Sequence, residues 1–77
     1  MNKIIKTESG STYVLSEKDG KPFLMKGLLC GEVEKFYEEV KVGGTLHLDF
    51  IKEGLYGKPE SFPTYLHSST ITEIVNL

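Results

Sequence analysis

Seventy-seven residues, with nine lysines against eleven acids and a net charge of −2, make a single domain, 1–77. At that size one core gives only a few kcal/mol of net stability. Every basic residue is lysine, and arginine and tryptophan are absent. Arginine is the usual bidentate reader of guanine and phosphate, so nucleic acid is an unexpected partner. The one cysteine, Cys30, excludes an intramolecular disulfide, and no close ligand pairs of the structural-zinc kind occur. Oligomerisation, as a homodimer or a small ring, is then the expected aid to stability. The start, Met1-Asn2-Lys3-Ile4-Ile5, runs straight into polar sequence. With a lone cysteine this gives the expectation of a cytoplasmic protein without a signal peptide or membrane span.

In chain order, Lys3 to Thr7 reads as a first strand and Glu8-Ser9-Gly10-Ser11 as a turn. Thr12 to Glu17 is a second strand, with Tyr13 and Leu15 on one face. Asp19-Gly20 carries the signal of a tight hairpin. Pro22 suits the first position of a third strand, read as running from Phe23 to Cys30 with Gly27 as a bulge. Val33, Phe36, Tyr37 and Val40 fall at i, i+3, i+4 and i+7, which predicts a short helix around 32–41. Glu32 and Glu34 suit its start, Lys41 its end and Gly43 its stop. A strand here is the rival reading, since Val40-Lys41-Val42 also alternates.

Thr45 to Lys52 gives the cleanest strand signal: Leu46, Leu48 and Phe50 point one way, and His47, Asp49 and Ile51 the other. A long loop of glycines, prolines and aromatics follows over 53–63. Thr64 to Val75 reads as a last strand, bent or bulged at Ser68-Ser69-Thr70. The expected fold is mainly β: a small five-stranded antiparallel curled sheet or barrel, SH3-like or OB-like, with one short helix around 32–41.

No spacing of catalytic groups names a reaction, and an enzyme is not expected. Cys30, His47, Asp49 and His67 could bind zinc or act as a nucleophilic set. No close pair among them has a zinc spacing, and His47 and Asp49 are explained as the wetter face of a half-buried strand. No metal or cofactor is therefore expected. The acidic run Glu32 to Glu39 is interrupted by Lys35 and reads as a solvated face. The candidate ligand surface is Lys52, Tyr56, Lys58, Phe62, Tyr65, His67, Ser68, Ser69 and Thr70. Rings there could stack on a planar ligand while lysines and hydroxyls meet phosphate or carboxylate. The plainer alternative is that Phe62 and Tyr65 pin the loop to the core.

Ile5-Lys6-Thr7-Glu8-Ser9-Gly10-Ser11-Thr12-Tyr13-Val14-Leu15, Val42-Gly43-Gly44-Thr45-Leu46 and Ser68-Ser69-Thr70-Ile71-Thr72-Glu73-Ile74 together give a layout that resembles small uncharacterised β-barrel proteins of phage and prophage genomes. The resemblance covers both ends and the central strand, not the expected helix or long loop, and carries no functional residue. It implies an accessory protein of a phage or mobile element, of the kind that sequesters a nucleotide-type signal or blocks a host defence protein. A structural module of a phage, without a small ligand, and a nucleic-acid-binding small barrel are the other readings.

Overall fold

The described residues of the computed structural model are 2–27, 29–56 and 64–77, the side chains of residue 29 and of 52–56 excepted. They form six strands: β1 Lys3–Thr7, β2 Thr12–Lys18, β3 Lys21–Lys26, β4 Leu29–Phe36, β5 Thr45–Tyr56 and β6 Tyr65–Asn76. Each pairs antiparallel with the next, and β6 returns to β1, closing a barrel in which every strand is paired on both sides. Closure reduces the free edge that a small sheet would otherwise expose; among the described residues β5 pairs with β6 over Thr45–Asp49. Among the described residues none is helical, and no helix is long and apolar enough to cross a membrane.

Alternation supplies the core. Each strand turns an apolar residue inward: Ile5, Tyr13, Leu24, Val33, Leu46 with Leu48, and Ile71, all buried. Leu15, Phe36, Val40, Phe50, Leu66 and Ile74 pack around them. The Asp19-Gly20 hairpin is present as expected: Lys18 pairs with Lys21, and both turn residues have positive φ, as a type I′ turn requires.

The small β-barrel is as expected; the strand count and the helix are not. The expected strand from Phe23 to Cys30 is two strands. Lys26 pairs with Leu29, and Gly27, at φ +61°, lies in a turn between them and is not a bulge. The apolar run Leu28-Leu29-Cys30 hides that turn, because it carries none of the polar residues that usually mark one. Strand β5 extends to Tyr56, so the first four residues of the expected 53–63 loop belong to the sheet; 57–63 lie outside the described residues.

The expected helix is the end of β4 and its connection to β5. Val33 pairs with Phe50 and Lys35 with Asp49, so β4 spends one extra residue, Glu34, against its partner. Such a bulge advances the side-chain phase by one. Val33 and Phe36 therefore both face the core at a spacing of three, which imitates a helical stripe. Beyond β4 the Tyr37 N–H donates to the His47 carbonyl, extending the ladder by one rung. Lys41 to Gly44 then make a β-turn closed by the Gly44 N–H on the Lys41 carbonyl at 3.0 Å. Gly43, at φ +93°, takes the third position, where type II turns demand positive φ.

Strand β6 carries two bulges of the same kind. Thr70 pairs with Thr45 and His67 with His47, three steps against two. Glu73 pairs with Lys6 and Ile71 with Thr7, two steps against one. Leu66, Ile71 and Ile74 can then share the interior although no single period joins them. The expected irregularity at Ser68-Ser69-Thr70 is the first of these bulges.

Candidate functional site

The outward face of β5 and β6 gathers the side chains with the most chemistry. Leu46 and Leu48 point inward, so His47 and Asp49 must point out. In the register, His47 stands opposite His67 and Asp49 opposite Tyr65. Four polar or aromatic side chains thus meet on one patch of wall. Tyr37, placed beside His47 by its backbone hydrogen bond, closes the β4 side.

The rings support one another. The His47 and His67 imidazoles stack at 4.0 Å between centroids with 9° between planes. Tyr37 lies tilted on His47 at 4.6 Å, and Tyr65 meets His47 edge-on at 5.3 Å. The Tyr37 hydroxyl donates to Asp49 Oδ2 at 2.5 Å, and the Tyr65 hydroxyl and His47 Nε2 are hydrogen-bonded at the same distance. Lys35 Nζ sits 4.6 Å from the centre of the Tyr37 ring, a cation–π contact. Tyr37 and Tyr65 still leave 45% and 47% of their surface to solvent. The carboxylate of Asp49 raises the Tyr37 phenol above its ordinary pKa, chiefly through their hydrogen bond.

Glu38 approaches from the β4–β5 connection. Its Oε1 accepts the Thr45 N–H at 2.8 Å, and its Oε2 lies 3.9 Å from His47 Nδ1. The Thr45 hydrogen bond is the main force holding the Glu38 carboxyl below the usual pKa range. Gly44 makes room for this arrangement: a Cβ there would stand 3.1 Å from Glu38 Oε1. One donor atom each from Glu38, His47 and His67 lie within 4.8 Å of one another.

Of the residues singled out in the sequence, Tyr65 and His67 stand in this patch. Ser68, Ser69 and Thr70 are tied to the backbone beside it. The Ser68 hydroxyl accepts the Leu46 N–H and donates to the Ser69 carbonyl, both at 2.8 Å. Ser69 Oγ accepts the Ser9 N–H at 3.1 Å, and the Thr70 carbonyl accepts the Glu8 N–H at 2.8 Å. Lys52 and Tyr56 are in β5 with undescribed side chains, and Lys58 and Phe62 lie outside the described residues. Cys30 is not near the histidines along the chain path. It pairs with Tyr56, nine residues beyond His47 at the far end of β5.

Sequence reasoning passed over Tyr37 and Glu38 because both fell within the expected helix. It also sought ligand pairs close in sequence, whereas His47 and His67 are neighbours across two strands. Comparison with protein-family models, with curated proteins and with solved structures found no match.

Proposed function

We propose that this chain is a non-enzymatic, homo-oligomeric binding protein of phage or prophage origin that acts against a host defence system. Its contact surface is the ring patch of Tyr37, His47, Tyr65 and His67. The observation that supports a contact surface is a set of rings, exposed at Tyr37, Tyr65 and His67 and half-buried at His47, held in place by one another and by Asp49. Aromatic anchors fixed before contact lose little freedom on binding, which is why tyrosine dominates many interfaces.

Between the two modes of action, the patch favours blocking a defence protein. Carboxylates of Asp49 and Glu38 are set among the rings, and these suit basic or polar groups of a protein better than phosphates. Contact is made face-on, since the patch lies on the outward face of β5 and β6, where Thr45–Asp49 are already paired with β6. Sequestration of a nucleotide-type signal draws on the aromatics and lysines of the 53–63 stretch and its flanks, whose side chains at Lys52, Tyr56, Lys58 and Phe62 are undescribed. It also draws on Ser68, Ser69 and Thr70, of which the Ser68 and Ser69 hydroxyls are already hydrogen-bonded. The same carboxylates oppose a nucleic-acid-binding barrel.

Phage plating on a panel of hosts, each carrying one defence system, tests the proposal. Expression of the chain restores plating on at least one host, and the Tyr37→Ala/Tyr65→Ala variant, with an unchanged circular dichroism spectrum, does not. Failure of the wild-type chain on every host removes the defence reading. Restoration by the double variant removes the patch.

A further inference from the structure

We propose that Glu38, His47 and His67 form a binding site for a divalent transition metal, with zinc as the best fit. This goes beyond the reading of the patch as a contact surface and does not rest on it.

The donors are already assembled from three separate parts of the chain, their atoms within 4.8 Å of one another. Around an ion with bonds of about 2.0–2.1 Å, tetrahedral donors stand about 3.4 Å apart. The set must therefore close by about 1.4 Å at its widest. The Glu38–His47 side, at 3.9 Å, is already near that spacing. The remaining movement belongs to His67, an exposed side chain on the barrel's outer wall that can turn without disturbing the core. Parallel imidazoles direct their in-plane lone pairs side by side, so loading the site tilts the two rings out of their stack.

Two features orient the ligands from outside the set. The Thr45 N–H holds one carboxylate oxygen of Glu38, leaving Oε2 turned toward His47. When Nε2–H of His47 donates to the Tyr65 hydroxyl oxygen, the lone pair lies on Nδ1, which faces Glu38. A ligating histidine whose other nitrogen is held by a hydrogen bond is the usual arrangement in metal sites.

The donor set also selects the metal. Two imidazoles and one carboxylate suit zinc, copper, nickel or cobalt, whereas magnesium and calcium prefer all-oxygen shells. One carboxylate charge against a dication leaves the site cationic. Three protein ligands leave a position open for water or for a group from a partner.

The test titrates the untagged full chain with zinc in competition with a chromogenic chelator, and with cobalt(II) followed by its visible absorption. The wild-type chain takes up one equivalent per chain, and the imidazole NMR signals of His47 and His67 shift together. Glu38→Gln and His67→Ala each weaken binding at least about tenfold, and Cys30→Ser leaves it unchanged. Their circular dichroism spectra match the wild type, since both altered side chains are exposed. Absence of uptake by the wild-type chain overturns the proposal, and so does uptake that survives the Glu38→Gln/His67→Ala double variant.

Discussion

Ser68 illustrates how one side chain can stand in for a missing rung of a sheet. The β6 bulge beside it breaks the ladder with β5, and a part-buried Leu46 N–H faces the gap. The hydroxyl accepts that proton and passes its own to the Ser69 carbonyl, so two backbone groups are satisfied where strand pairing fails. Ser68→Ala removes both bonds. It should lower stability by about 1 kcal/mol, read as a drop in thermal midpoint. Ser69→Ala, whose partners are exposed around Ser9, should move the midpoint less. The order of the two variants is the check, and an equal or reversed order would contradict this role. Gly44 acts at the same scale, because its missing Cβ lets the Glu38 carboxylate lie against Thr45.

At the scale of elements, regular alternation was legible in the sequence and interrupted alternation was not. Leu46, Leu48 and Phe50 follow a strict period of two, and β5 lies where that period places it. The Asp19-Gly20 turn was equally plain, because its residues are the ones a type I′ turn requires. Val33 and Phe36 are three apart only because Glu34 is bulged, and that spacing is also the spacing of a helix. A local period cannot separate the two, since the bulge is defined by pairing with β5. The site was half legible for the same reason. Tyr65 and His67 stood out as an aromatic and a polar residue on one strand, but their meeting with His47 and Asp49 depends on register. Deleting Glu34 removes the bulge and leaves Val33, Lys35 and Phe36 alternating regularly against Phe50, Asp49 and Leu48, so Phe36 stays inward. The expected fall in the urea midpoint is therefore smaller than that of Phe36→Ala, which removes a side chain packed against the core. A deletion as costly as Phe36→Ala would mean that Glu34 is not the extra residue of β4.

Among the described residues the molecule is a closed wall whose distinctive face is the ring patch. Closure gives every strand two neighbours, although among the described residues β5 pairs with β6 only over Thr45–Asp49. Val42, Val75 and Leu77 are exposed apolar side chains outside the ring patch, so the proposed self-association and the proposed partner contact can use different surfaces. The two roles can therefore be tested independently. The most direct test is native mass spectrometry of the chain recovered from cells carrying a defence system against which the plating test shows activity. The wild-type chain should retain a large protein partner, and the Tyr37→Ala/Tyr65→Ala variant should emerge at the same oligomeric mass without it. A variant that keeps the same partner would contradict the assignment of the ring patch as the contact surface.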